Sequence, residues 1–151
     1  MSAHVTDGSQ ESLGVLRQRR VVVTARDIQR FAQATGCAVE TLPDGTLLAP
    51  PLFFQSMAFE EVPHEKLPAD GSPTELDVPL PARRTVGGGS EYTLYRRVRE
   101  GETVTVASKL RAVERKQARS GELFVVQVET SFASDAGEPL AREVASFIKK
   151  V

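Results

Sequence analysis

Ala49-Pro50-Pro51-Leu52-Phe53-Phe54-Gln55-Ser56-Met57-Ala58-Phe59 sets two prolines ahead of a short run that is apolar at almost every position. Proline suits the first turn of a helix, because the N–H it lacks would be orphaned there anyway. Beyond Leu52 only Gln55 and Ser56 are polar, so a helix over residues 51–61 has no wet face and must be buried nearly all round. Such a helix needs something to wrap it, and the second half of the chain offers a sheet.

Residues 91–98, 103–113, 123–132 and 140–148 alternate in polarity or carry β-branched runs, and each predicts a strand. Val104, Val106, Leu110 and Ala112 fall on one face of their strand. Phe124, Val126, Val128, Thr130 and Phe132 fall on one face of the next. Glu100-Gly101, Ser120-Gly121 and Asp135-Ala136-Gly137 supply the turns, which makes the set an antiparallel meander. Lys109, Arg111, Gln127, Glu129 and Arg142 lie on the opposite faces, so one side of the sheet is wet. The pattern predicts an α+β fold in which an antiparallel sheet wraps one central helix.

Upstream, residues 20–23 form a short β-branched strand. Thr24 then offers an N-cap with Asp27 three residues on, and Ile28, Phe31, Ala32 and Thr35 share a helical face that ends at Gly36. Cys37 follows a helix C-terminus, not the N-terminus that would lower a thiol pKa, which favours a packing role over a nucleophilic one. Pro43-Asp44-Gly45 is a turn in which proline presets φ and glycine accepts a positive one. Residues 1–19 are polar, contain His4 and read as a flexible tail, leaving 20–151 as a single domain. Residues 62–81 hold five prolines, at 63, 68, 73, 79 and 81, and predict an irregular connection that carries His64.

A chain of 151 residues can bury a core without metal or disulfide help. Its net charge of −1 gives no reason to expect nucleic acid or an anionic membrane as partner. One cysteine cannot form an internal disulfide, and no apolar run approaches the ~18 residues of a membrane span. No basic-then-apolar leader is visible either, so the expectation is a soluble cytoplasmic protein. Phosphate-loop, paired-cysteine, histidine-pair and serine-elbow patterns are all missing from the sequence, so metal catalysis is not expected.

Three features remain for chemistry. Gly87-Gly88-Gly89 open a strand, where glycine signals either a bulge or the close approach of a ligand. The N–H groups of Leu52 and Phe53, at the start of the central helix, are candidates to polarise a carbonyl oxygen. Of the many basic residues, Arg83 and Arg84 are candidates for holding the phosphates of coenzyme A or a carrier arm, whereas most of the others read as solvated strand faces.

Taken in order, these stretches resemble the MaoC-like, FAS1-like dehydratase N-terminal domain family. Ala49-Pro50-Pro51-Leu52-Phe53 is similar to the family's entry to its central helix. The run from Leu80 to Tyr92, the run from Tyr95 to Val104, and the strand from Ser120 to Thr130 resemble further family segments in matching order. The resemblance implies a hot-dog fold with protomers paired edge to edge and a substrate tunnel at the dimer interface, for which Leu52, Phe53 and Phe54 are candidate substrate-binding residues. It also implies a substrate that is an acyl thioester of coenzyme A or of acyl-carrier phosphopantetheine, with no separate cofactor. Relatives hydrate enoyl thioesters or dehydrate 3-hydroxyacyl ones, using an aspartate followed by a histidine. Here residues 37–51 contain Asp44 but no histidine, and Val86 stands where many relatives have one before the glycines. The catalytic pair therefore transfers to no position in this chain.

Three functional readings follow. In the first, this chain is a hydratase/dehydratase component whose second hot-dog subunit brings the aspartate and histidine. In the second, it pairs with itself as a thioesterase, with Glu91 and then His64 as the first catalytic candidates. In the third, it is a non-catalytic acyl-binding subunit.

Overall fold

Phe54 has no exposed surface, and its ring centroid lies 5.2 Å from that of Phe132 on the sheet. This contact is the centre of the fold. The computed structural model describes residues 15–67, 80 and 84–151. A five-stranded antiparallel sheet has the order β1-β5-β6-β7-β4, formed by β1 (Val15–Val22), β4 (Arg84–Leu94), β5 (Thr103–Ala118), β6 (Gly121–Ser134) and β7 (Pro139–Lys150). Helix α1 (Ala25–Thr35) follows β1, and β2 (Glu40–Thr41) with β3 (Leu47–Leu48) makes a small hairpin. The central helical stretch opens as a 3-10 turn (Pro51–Phe54) and continues as α2 (Gln55–Ala58).

Phe53, Phe54 and Met57 of this stretch join Val104, Val106, Phe132, Leu140 and Ala141 of the sheet, with Val23 and Ile28, in one buried cluster. The sheet thus wraps a central helix in the hot-dog manner. The helical stretch stops at Ala58, short of the expected residue 61, and Arg19 marks its end. The Arg19 guanidinium donates to the carbonyls of Met57 and Phe59, satisfying acceptors that a helix C-terminus leaves open.

Thr24 caps α1 as expected: its hydroxyl accepts from the Asp27 N–H at 3.1 Å and donates to the Asp27 carboxylate at 2.6 Å. Gly36 ends the helix at φ +71°. Other expectations are corrected. The first strand starts at Val15, so residues 15–19, expected in the tail, belong to the sheet. β4 runs Arg84–Leu94, not 91–98, because the chain turns away after Leu94 and Tyr95 donates to the Leu140 carbonyl. Cys37 is exposed and not packed. A bulge between Leu110 and Ala112 pairs Ala112 with Gln127 and Val113 with Val126, which moves Ala112 off the core face and puts Val113 on it.

Arg96 ties the turn before β5 to the turn before β7. It donates to Glu102 at 2.8 Å and to Glu138 at 3.0 Å. Partial burial pushes the Glu102 carboxyl up, but the Arg96 hydrogen bond, the Arg99 N–H and the Arg96 charge together outweigh it and leave its pKa below the usual range. The hydrogen bond from Arg96 does the same for Glu138. A carboxylate depressed in the folded state adds stability above its unfolded pKa, and that stability is lost as pH falls through the folded value. Arg96→Met is therefore expected to lower Tm by a few degrees at neutral pH. The gap to wild type should narrow as pH falls below the ordinary carboxylate range and vanish once the lowered folded-state pKa values are passed. Thermal melts across that range check both halves of the expectation.

Candidate functional site

The sequence-derived candidates divide between two faces of the molecule. Phe53 lines a cavity of about 570 Å³ between β1, α1 and the central helix. Val21, Val23, Phe31 and Met57 supply apolar wall, and Arg19, Arg30, Asp27, Glu60 and Glu61 supply polar lining. Its volume is in the range of small-molecule sites. Phe31 meets Phe53 edge to face, with centroids 5.6 Å apart, which fixes the ring in the wall. Phe54 faces the sheet instead, and Leu52 is 48 % exposed. The Phe53 N–H is taken by the Pro50 carbonyl at 3.0 Å, which removes it as a donor to a ligand oxygen.

The glycines at the start of β4 form a bulge. Gly87 pairs with Phe147 and Gly89 with Ser146, so Gly88 is the extra residue. A Cβ on Gly88 would lie 2.9 Å from the Ser146 carbonyl oxygen, and Gly89 sits at φ +123°. The bulge reading accounts for both positions, while Gly87 has open space where a side chain would be. Arg84 is exposed at the first position of β4, and Arg83 and His4 lie outside the described residues.

The two catalytic candidates are on separate elements. Glu91 is exposed and opposes Val144, on the sheet face away from Tyr92. His64 opens an exposed 3-10 turn (His64–Lys66). Asp44, the aspartate of the segment where relatives carry their pair, is a turn residue. Its carboxylate accepts from the Thr46 hydroxyl at 2.6 Å and the Thr46 N–H at 3.0 Å, and these bonds hold its pKa below the usual range.

Two polar residues that sequence reasoning passed over face the core: Glu143, 7 % exposed, and its cross-strand neighbour Tyr92. The Tyr92 hydroxyl is buried close beside the Glu143 carboxylate. Burial first, and the Glu143 charge second, hold that phenol well above its usual pKa. Strand parity was the available signal, since Ala141, Glu143 and Ala145 must share a face. Among the described residues no cluster of histidine, cysteine, aspartate and glutamate is arranged to hold a metal ion, and no helix is long and apolar enough to cross a membrane.

Several solved structures share this architecture. The ChsH1-ChsH2 complex from Mycobacterium tuberculosis contains a chain with a TM-score of 0.66 and 18 % identity, matched over 93 % of this chain and 90 % of that one. A chain of the C-terminally truncated HadBC (3R-hydroxyacyl-ACP dehydratase) complex, also from Mycobacterium tuberculosis, gives 0.61 and 14 % over 90 % and 98 %. The R-hydratase PhaJ1 from Pseudomonas aeruginosa gives 0.57 and 15 % over 89 % and 79 %. At these identities the likeness is one of fold. No match was found among curated proteins. The model of the family described as "FAS1-like, dehydratase domain region" matches residues 12–143, and with the hot-dog sheet around residues 51–58 this establishes that the chain belongs to that family.

Proposed function

We propose that this chain is one half of a hot-dog hydratase/dehydratase acting on acyl thioesters, and that a second hot-dog subunit supplies the aspartate and histidine. The observation that carries this reading is the state of residues 37–50. In a member of a dehydratase family, this segment is a small hairpin whose one aspartate is spent on its own turn. Addition of water across a double bond needs a base to position the water and an acid to serve the α-carbon. Glu91 and His64, each exposed on a different element, do not make such a pair. Two of the similar structures are complexes named for two different components, which supports a heteromeric arrangement. In this reading the Phe53 cavity accommodates part of the acyl group, and Arg84 contributes to holding the phosphates of coenzyme A or of a carrier arm. The position of Glu91 on the outer face gives the thioesterase reading no support.

The native mass of the tagged protein, purified gently from its own host, tests the proposal. The expected result is a complex that includes a second chain of similar size whose sequence contains an aspartate followed closely by a histidine. A complex made only of copies of this chain would refute the heteromeric assignment.

A further inference from the structure

Over much of the sheet the fold sets its cations against carboxylates. Lys109, Arg111 and Arg142 surround Glu129 on the outer face, Arg20 meets Asp135, and Arg96 meets Glu102 and Glu138. The balance fails at one corner, where β4 begins, β7 ends and the β5–β6 hairpin turns. There Arg84 is directly opposed to Lys150, and the same outer-face row continues through Leu123 to Lys116. Lys116 reaches Glu114 at 3.3 Å, but among the described residues neither Arg84 nor Lys150 has a carboxylate partner. Arg84, Lys116 and Lys150 are exposed, and Arg119 adds an exposed cation in the adjoining turn. Like charges directly opposite one another on adjacent strands cost stability. The free fold gains nothing from this arrangement, and an anionic partner would relieve it.

The row beside it is apolar. Val125, Ile148 and Val86 oppose one another on β6, β7 and β4, two residues along from Leu123, Lys150 and Arg84 and therefore on the same face. Val86 is 48 % exposed, and Leu123, Val125 and Ile148 keep part of their surface in water. A cationic row and an apolar row thus run side by side across the strands. Pairing through a sheet edge uses main-chain groups and does not cover a face, so an edge-to-edge partner on β4 leaves both rows in place.

The arrangement selects among anionic partners. Sites for small phosphorylated ligands are concave, and the outer face of an open sheet is not. Neither row carries an aromatic residue to seat at a lipid interface. A helix with one acidic and one apolar stripe answers both rows. Its residues three and four apart recur about every 4.5–6 Å along the axis, which keeps step with strands about 4.8 Å apart. We propose that this corner of the outer face docks an acidic, amphipathic helix of a partner protein. Its carboxylates lie over Arg84, Lys150 and Lys116, and its apolar side chains over Val86, Ile148 and Val125. The proposal goes beyond the thioester reading and does not depend on it. Arg84 belongs to both, whereas Lys150 and Ile148 belong to this one alone and carry its test.

The probe is a synthetic stapled helix with one glutamate stripe and one leucine stripe, and the control is a peptide of the same composition in scrambled order. Fluorescence anisotropy with the full chain in its native complex, at physiological ionic strength, is expected to favour the striped helix by about tenfold or more. Lys150→Glu should remove that preference, and Ile148→Thr, which keeps a β-branched residue in the strand, should weaken it by about threefold. Lys150→Glu also sets a carboxylate opposite Arg84, so the ligand-free melting midpoint should hold or rise. A clear fall would show that the like-charge pair does not burden the fold and would overturn the argument. Failure of the striped helix to bind, equal binding of the scrambled peptide, or an affinity that both substitutions leave unchanged would overturn the docking surface. Binding to phosphatidylserine vesicles in preference to the helix would make it a membrane surface instead. The thioester reading stands or falls separately, on the native mass of the complex.

Discussion

Phe54→Ala is expected to destabilise the protein by about 3–5 kcal/mol, the range for emptying a buried aromatic site. The ring is fully buried, tilted at 52° against Phe132, and belongs to the cluster that joins the central helix to β5, β6 and β7. Its neighbours are strand residues held by ladder hydrogen bonds on both sides, so little can collapse into the space. Against a total stability of about 5–15 kcal/mol, that loss removes about a fifth of the margin or more. Phe59→Ala makes the control, because Phe59 is 40 % exposed and should cost far less. Urea midpoints at constant slope measure both. A Phe54→Ala cost below about 1 kcal/mol, the ordinary value for a mild substitution, would mean that the helix is not what the sheet is built around.

The second large effect concerns turnover. The purified chain alone should show no hydration of an enoyl-CoA above background, and adding the second subunit should raise the rate by about 10²–10⁴-fold or more, the contribution of a positioned acid–base pair. In the reconstituted complex, changing the second subunit's histidine should return the rate to background, while His64→Gln and Glu91→Gln in this chain leave it unchanged. Spectrophotometric loss of the enoyl thioester follows all five samples. Loss of activity on changing Glu91 or His64 would move the chemistry into this chain and refute the division of labour.

Much of the fold was legible because it rests on periodicity. The alternation of Phe124, Val126, Val128, Thr130 and Phe132 puts them on the core face, and the Thr24 and Gly36 caps bound α1 at the expected places. The errors share a cause: local irregularities that a period cannot express. Nothing in Leu110-Arg111-Ala112-Val113 announces that Arg111 is a bulge, yet that one extra residue swaps the faces of Ala112 and Val113. Arg84–Ser90 form a strand although they carry three glycines and are exposed, because they pair along their length with β7; tertiary pairing overrides propensity there. The site was less legible. Phe53 and Phe54 are adjacent in sequence and face different surroundings, a cavity wall and a sheet. Glu143 was hidden among the charges of its strand, where its neighbour Arg142 points outward.

The strand order has a kinetic meaning. β5, β6 and β7 pair with their sequence neighbours through the short turns at Ser120-Gly121 and Asp135-Ala136-Gly137, so closing them costs little chain entropy. β1 must find β5 across the whole helical segment, and β4 must find β7 past the entire β5–β6 hairpin. The low-entropy route to this topology therefore builds the central three strands as a template and adds the two edges afterwards. Thr130 and Glu143 belong to the template, while Tyr92 and Arg19 ride in on the late edges. The two edges of the sheet are thus the last parts to exist as the chain folds, and the first that a partial opening would dissolve.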